Sequence, residues 1–219
     1  KIKDTAFTEY SEIIDFNRKI PREFYIQSFL KKSNVTDSLS LSVSELSDLI
    51  KDFENNKFLD IINFQLAKLY LNEYKLKEQK EFELKSIGFF NKSLEQNSSD
   101  NYLVSRNYLN LAEINFSNKN YFEAGLYYDS TLTKLDQKTK EARTIKRRRE
   151  SLNDLIFYEK AKQQSDSLVA LFSMNDEQQF KFFENYLTKQ DSEKKKIVNQ
   201  DFGAQNSFDF KPVSYTHLR

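Results

Sequence analysis

Residues 101–135 read NYLVSRNYLNLAEINFSNKNYFEAGLYYDSTLTKL, and this stretch decides the fold of the chain. Large side chains recur at helical spacing in two runs, and a polar break, Ser117–Asn120, separates them. The small residues Ala112 and Ala124 lie on opposite sides of this break. Two antiparallel helices approach closely only where small side chains meet large ones. The stretch therefore predicts a helix, a tight turn and a second helix.

The order of large and small residues resembles one tetratricopeptide (TPR) repeat. The positions that match the pattern are Tyr108, Leu111, Ala112, Tyr121, Ala124 and Tyr128, followed by Thr131 and Leu132. Asn115 departs from it, since an aromatic residue is preferred there, and so does Lys119, where a turn glycine is usual. The resemblance implies an all-α fold, a TPR-type α-α superhelix made of stacked helical hairpins. It says little about function, because TPR units are generic binding scaffolds.

A second match lies upstream, over residues 58–96. Its matching positions are Leu66, Ala67 and Tyr70 in the first helix, and Ser86, Phe90, Ser93 and Leu94 in the second. The spacing is longer than in the first match, so extra residues around 74–80 belong either to the turn or to extended helices. Each hairpin leaves an apolar face that only a neighbour can cover, which favours an array of repeats.

The remaining helices are predicted from the same apolar period. They cover residues 4–18, 21–32 and 42–54, the last opened by Ser42 and Glu45 at capping-box spacing. Residues 1–136 are thus expected to form TPR-like repeats, the first of them partial. Residues 137–190 are expected to hold a long charged helix over 138–163, which caps the solenoid, and short helices over 165–172 and 175–190.

The C-terminal stretch has a different composition. Residues 191–219 are rich in Lys, Asn and Gln and are expected to be disordered. Residues 212–219 resemble a translated sequencing adapter and are excluded from functional reasoning. The chain begins at Lys1 and is expected to be a fragment. Any signal peptide or lipid-attachment cysteine would lie upstream of it.

Composition limits the possible functions. The chain is 15% aromatic with only three Gly and two Pro, which favours long helices over a turn-rich β fold. A net charge of +1 provides no overall field that would attract nucleic acid, so no nucleic-acid partner is expected. The absence of cysteine excludes disulfides, thiolate nucleophiles and cysteine-based zinc sites. No apolar run approaches the length of a membrane span.

Two charge patterns have competing interpretations. The carboxylate pairs Glu81/Glu83 and Asp176/Glu177 suggest acid–base or metal chemistry, but no glycine-rich loop, metal-spaced histidine or Ser–His–Asp set accompanies them. We therefore expect no enzyme, no cofactor and no metal site. The basic run Lys146–Arg149 either binds phosphate or an acidic partner, or is a solvated helix face balanced by Glu141, Glu150 and Asp154. The second interpretation is favoured.

Most of the Phe and Tyr stripe is expected to be core. The exceptions are the first-helix positions that face the concave side of a TPR array and therefore form the predicted partner-binding face. By register these are Ile61, Phe64, Lys68, Leu71 and Asn72 in one repeat, and Arg106, Leu109, Glu113, Phe116 and Ser117 in the next. Leu71, Leu109 and Phe116 are apolar, which suits contact with a protein partner.

The order of elements from about residue 21 to 191 resembles the SprE/PorW family, the TPR lipoproteins of Bacteroidetes gliding motility and type IX secretion. The segments that carry the resemblance are Phe58–Ala67, Asn107–Ile114, Tyr127–Thr131, Ser151–Leu155 and Asp166–Leu171. The Tyr-Tyr-Asp-Ser-Thr and Asp-Ser-Leu elements within them are the most telling.

This resemblance implies a scaffold on the periplasmic side of the outer membrane that links the secretion and gliding ring to the translocon. The leading hypothesis is therefore a non-enzymatic TPR scaffold for protein–protein interactions in that machinery. The alternative is a generic TPR adaptor or chaperone of another envelope or cytoplasmic complex.

Overall fold

A computed structural model describes residues 2–188, and this part of the chain contains helices, turns and connecting residues but no strand. The helices are α1 (Ile2–Asp15), α2 (Arg22–Val35), α3 (Leu39–Lys51), α4 (Leu59–Lys77), α5 (Lys80–Glu95), α6 (Asn101–Ser117), α7 (Tyr121–Lys134), α8 (Lys140–Glu150) and α9 (Asn153–Phe172). Residues 176–188 are also helical, and 3-10 turns cover Asn17–Lys19 and Phe53–Phe58. Neighbouring helices pack in pairs. The predicted all-α fold of helical hairpins is confirmed.

The chain divides into two compact units, residues 1–159 and residues 160–219, and α9 crosses the division. The predicted disordered tail, residues 191–219, and its adapter-like end lie outside the described residues. The first unit contains the two hairpins that the sequence indicates, α4–α5 and α6–α7.

Asp100, between the two hairpins, caps α6, because its Oδ1 accepts hydrogen bonds from the backbone N–H groups of Tyr102 (2.9 Å) and Leu103 (3.1 Å).

The turn inside the first of these hairpins is short. The α4–α5 turn contains only Glu78 and Gln79 between the two helices. The extra residues of this repeat therefore extend its helices and do not lengthen its turn.

Three apolar clusters follow one another along the first unit. The first joins α2, α3 and α4 through Ile26, Leu30, Leu46, Leu49, Ile62 and Leu66. The second joins α4, α5 and α6 through Ala67, Leu71, Phe90, Leu111 and Ile114. The third joins α6, α7, α8 and the start of α9 through Ala112, Ala124, Tyr128, Ile145 and Leu152. Each hairpin is thus covered by its neighbour, as the array hypothesis requires.

The Leu-Ala pairs of the sequence pattern are the residues that connect these clusters. Leu66 belongs to the first cluster and Ala67 to the second, while Leu111 belongs to the second and Ala112 to the third. Consecutive helical residues point about 100° apart. A Leu-Ala pair therefore gives one helix two different packing faces.

Buried hydrogen bonds fix the spacing between helices. Asn107 Nδ2 donates to Ser93 Oγ (3.0 Å), and that hydroxyl donates to the backbone carbonyl of Asp60 (2.7 Å), which ties α6 to α5 and α4. Ser86 Oγ donates to the carbonyl of Ala67 (2.9 Å). A side chain as short as serine bonds a neighbouring helix backbone only where the two helices are in close contact.

The single long helix predicted over 138–163 is wrong. The helix is interrupted after α8, by a turn at Ser151 and Leu152. Residues 165–172 are the end of α9 and not a separate helix. The break places Leu152, which is 1% exposed, in the third cluster. It also brings Ile156 within contact of buried Gly125 of α7, where an added Cβ would lie 3.0 Å from Ile156 Cδ1. The burial of Leu152 and the packing of Ile156 outweigh the continuity of one helix.

The predicted capping box of α3 is also wrong. Helix α3 begins one turn earlier, where Ser38 Oγ accepts from the N–H of Leu41 at 3.4 Å. Ser42 is buried inside the helix. Glu45 instead pairs with Lys32 of α2 at 2.7 Å.

Candidate functional site: the groove between α4, α5 and α6

The residues of the repeat signature form the interior of the hairpins. Leu66, Ala67, Leu111, Ala112, Ala124 and Tyr128 are each 0–1% exposed. The other three aromatic residues of the signature are half-buried. Tyr70 stacks on Phe89 with ring centroids 5.6 Å apart, Tyr108 contacts Tyr127 at 6.4 Å, and Tyr121 meets Phe116 edge-on at 5.8 Å.

The predicted partner-binding face of α4 is only partly open. Asn72 is exposed, and Phe64 and Lys68 are half-buried with the lysine ammonium 5.9 Å from the phenylalanine ring. Leu71 is 6% exposed and belongs to the second cluster. Leu111 and Ile114 of α6 belong to the same cluster, so only a small part of the Leu71 side chain remains open, at the groove described below.

On α6, residues of α8 already engage much of the predicted face. Arg106 bonds Glu141, and Arg148 donates to Glu113 Oε1 at 2.7 Å. The same guanidinium lies 5.1 Å from the ring centroid of Phe116. Leu109 and Phe116 both pack against the third cluster. These positions therefore hold α8 in place within the chain.

A groove remains open between α4, α5 and α6. Its volume is about 380 Å³, and its lining residues are Leu71, Tyr74, Lys75, Glu83, Asn110, Glu113, Ile114 and Ser117. Three of the ten register positions, Leu71, Glu113 and Ser117, are among them. The structure thus brings part of the predicted face together at one concave site, in the size range of ligand pockets.

Glu83 is the most unusual residue of this groove. It is a carboxylate only 1% exposed, at the start of α5. Its Oε1 accepts from Lys80 Nζ at 2.7 Å and from Asn118 Nδ2 at 2.6 Å. No donor among residues 2–188 completes a hydrogen bond to Oε2. Oε2 has no bond of ordinary geometry, and the donor close to this carboxylate is the Tyr74 hydroxyl.

The environment of Glu83 keeps it ionised. Burial by itself would raise the pKa of Glu83, but the donors around it outweigh burial and lower the pKa below its ordinary value. Hydrogen bonding of the Tyr74 hydroxyl to this carboxylate in turn raises the pKa of Tyr74 above its ordinary value. The groove therefore contains a charged carboxylate at neutral pH.

Half of the basic run Lys146–Arg149 is involved in contacts within the chain. Arg149 Nε donates to both carboxylate oxygens of Asp129, at 3.0 and 2.9 Å, and Arg148 binds Glu113. Lys146 and Arg147 are exposed. The acids that pair with the run are Glu113 of α6 and Asp129 of α7, and they differ from Glu141, Glu150 and Asp154, which were expected to balance it. The exposed half, Lys146 and Arg147, fits the expected solvated face.

The second unit has a different surface. Among its described residues, 160–188, no side chain is buried, and several large apolar residues are more than half exposed: Leu168, Val169, Phe172, Phe180, Tyr186 and Leu187. This is a second apolar surface, and it is a rival to the groove for partner binding.

Two other kinds of site are absent from the described part of the chain. Residues 2–188 contain no group of three or more histidine, cysteine or acidic residues that could hold a metal ion. None of the helices in this range is both long and apolar enough to cross a membrane. No model of a known protein family matches the chain. No curated protein matches it either.

Three residues that line the groove, Glu83, Tyr74 and Asn110, were not predicted from the sequence. Glu83 was considered only as a partner of Glu81, yet Glu81 is exposed and bonds Lys85. The sequence signal that was missed is the spacing of residues along α5. Glu83, Ser86 and Phe90 recur at helical intervals on the face of α5 that packs against α4 and α6, so an acidic residue in that series is buried.

Proposed function

We propose that this protein is a non-enzymatic helical-repeat scaffold that binds a segment of a protein partner in the groove between α4, α5 and α6. The observation that carries the proposal is the groove itself, which combines the apolar walls Leu71 and Ile114 with polar groups from three helices. Helical surfaces of this kind recognise peptides through apolar anchors and a few oriented polar groups.

The SprE/PorW-like segments support a more specific proposal for the partner. We propose that the scaffold works in the type IX secretion and gliding machinery, on the periplasmic side of the outer membrane. Its partners would then be components of the ring and the translocon. This assignment rests on the segments Tyr127–Thr131 and Asp166–Leu171 and on the element order around them.

The groove is tested with one blocking variant and one matched control. Ser117 is the last residue of α6, is exposed and lines the groove, so Ser117→Trp fills the space without disturbing the core. Thr133 is an exposed residue at the equivalent end of α7 and does not line the groove. Peptides selected from a random heptapeptide library on the wild-type chain should bind Thr133→Trp normally and Ser117→Trp at least tenfold more weakly.

The outcome is read from titrations of the selected peptides. A library that gives no specific binder, or only binders indifferent to Ser117→Trp, contradicts the proposed function. The envelope assignment uses the same two variants in extracts of a gliding Bacteroidetes cell. Ring or translocon components should be recovered with wild type and Thr133→Trp but not with Ser117→Trp. Groove-dependent recovery of unrelated proteins alone would favour the generic adaptor.

A further inference from the structure

Glu83 lies where three elements beside the groove meet, and each element contributes a donor to its carboxylate. The Tyr74 hydroxyl comes from the last turn of α4, Lys80 Nζ from the start of α5, and Asn118 Nδ2 from the turn after α6. Lys80 Nζ also donates to Asn118 Oδ1 at 3.2 Å, so two of the donors are bonded to each other. A buried carboxylate destabilises the fold unless donors surround it in this way. Glu83 therefore joins the α4–α5 hairpin to the α6–α7 hairpin.

A second junction joins the same two hairpins further towards the start of α6. There Asn107 donates to Ser93, and Ser93 donates to the backbone carbonyl of Asp60. Every group of this junction is neutral. Asn107 and Asn118 lie about three helical turns apart, or about 16 Å along the axis of α6. The hairpins are thus joined at two separate points, and only the junction at Glu83 depends on a charge.

The groove lies at the charged junction. Its lining includes Tyr74 and Lys75 near the end of α4, and Ser117 at the end of α6, next to Asn118. The separation of these two helix ends sets the width of the groove, and the bonds of Glu83 hold the ends together. Bonds to an ionised carboxylate are about twice as strong as bonds between neutral groups. The width of the groove therefore depends on the ionisation of Glu83.

The groups that face this junction, or lie beside it in the groove, come from each element packed there: Tyr74 and Lys75 of α4, Glu78 of the α4–α5 turn, Lys80 of α5 and Glu113 of α6. Glu113 accepts from Tyr128 of α7 and Arg148 of α8, so its bonds hold α6 to the helices that follow it. Glu78 acts on Tyr74 through its charge. Of these three carboxylates, Glu83 is the one that accepts bonds from both hairpins.

We propose that Glu83 is a charge-dependent latch for the groove: its ionised carboxylate holds the end of α6 against the end of α4, and its neutralisation lets these ends separate about the neutral junction at Asn107. Glu83 is then a positioning residue, and this role requires no contact between Glu83 and the partner. The inference rests on the proposed function only in taking the groove as the binding site.

The sign of the pH dependence follows from the donors. They hold the pKa of Glu83 below its ordinary value of 4.5, so ionised Glu83 stabilises the junction fully above that value. This stabilisation is lost as the pH falls through the lowered pKa. The latch is therefore closed at neutral pH and opens in acid.

The test measures the separation of the two helix ends without any peptide. The chain has no cysteine, so Lys75→Cys and Ser117→Cys, both exposed, carry two unique nitroxide labels. Their dipolar coupling in frozen samples should be strong at pH 7 and should weaken in acid, with a midpoint below pH 4.5. With Glu83→Gln the coupling should already be weak at pH 7 and should change little with pH. The matched control Glu81→Gln removes an exposed carboxylate of the same helix and should behave as wild type.

A second labelled pair separates opening of the latch from general unfolding. Glu95→Cys and Asn101→Cys are exposed and lie at the end of α5 and the start of α6, near the neutral junction. Their coupling, and the helix content by circular dichroism, should stay unchanged by Glu83→Gln and by acid. Coupling across the groove that ignores Glu83→Gln, or a loss of coupling in both pairs together, overturns the latch. Failure to select a groove-dependent peptide contradicts the proposed function and leaves these distances unaffected.

Discussion

Two turn residues, Glu78 and Lys119, hold left-handed backbone conformations, with φ of 54° and 63°. Both follow the first helix of a hairpin, where a left-handed residue ends the helix and glycine is the usual choice. A residue with a side chain destabilises the folded state by about 1–2 kcal/mol in the left-handed conformation, because its Cβ approaches the following carbonyl oxygen. The departure at Lys119 noted in the sequence therefore corresponds to a real conformational cost.

Lys119→Gly should stabilise the protein by about 0.5–1 kcal/mol. The relief of the left-handed conformation exceeds the added entropy that glycine brings to the unfolded chain. Thermal melting should show a Tm about 1–4 °C higher. As a control, Lys146→Gly introduces glycine at an exposed interior position of α8 and should cost about 1 kcal/mol. A lower Tm for Lys119→Gly would mean that the lysine side chain makes a contribution larger than the backbone strain.

Single residues also show what the sequence predicted well and what it did not. The Leu-Ala pairs were predictable, because a large and a small residue side by side at each helix crossing form a local pattern. Glu83 was not, since its burial depends on donors from Lys80 and Asn118, and Asn118 is 35 residues away in the chain. A charged residue usually lies on the surface unless such partners are present.

At the level of elements, the helices with strong apolar periodicity were predicted to within a few residues, whereas the break between α8 and α9 was missed. No glycine or proline marks that break. It forms because Leu152 is buried and Ile156 partly buried against α6 and α7, a tertiary effect that no local signal encodes. The α4–α5 and α6–α7 hairpins depend instead on small residues at their crossings.

Ala124→Arg should disrupt the α6–α7 hairpin. Ala124 is fully buried beside Tyr128 in the third cluster, so a long charged side chain there overpacks the crossing, at about 1–3 kcal/mol, and adds an unpaired buried charge. We expect the Tm to fall by about 6 °C or more. Leu126→Arg provides the control on the same helix, because Leu126 is 47% exposed, and it should melt close to wild type. Equal Tm values for the two variants would show that Ala124 is not at a close helix contact.

At the level of the whole molecule, the first unit is a series of helices joined by three clusters, and its open groove lies where α4 and α6 both face α5. Three positions of the predicted concave face, Leu71, Glu113 and Ser117, line this groove. Another part of that face, formed by Arg106 and Phe116, is in contact with α8 within the chain. The sequence pattern of α6 could not reveal this contact, because α8 was predicted to belong to a separate capping region.

The exposed apolar residues of 160–188 are the main competing surface for a partner. Hydrogen–deuterium exchange of the full chain, with and without a peptide selected on it, distinguishes the two surfaces directly. Bound peptide slows exchange where it orders or covers the backbone. Our account predicts slower exchange in the C-terminal halves of α4 and α6 and at the start of α5, with residues 160–188 unchanged. Protection confined to residues 160–188, with α4, α5 and α6 unaffected, would contradict it.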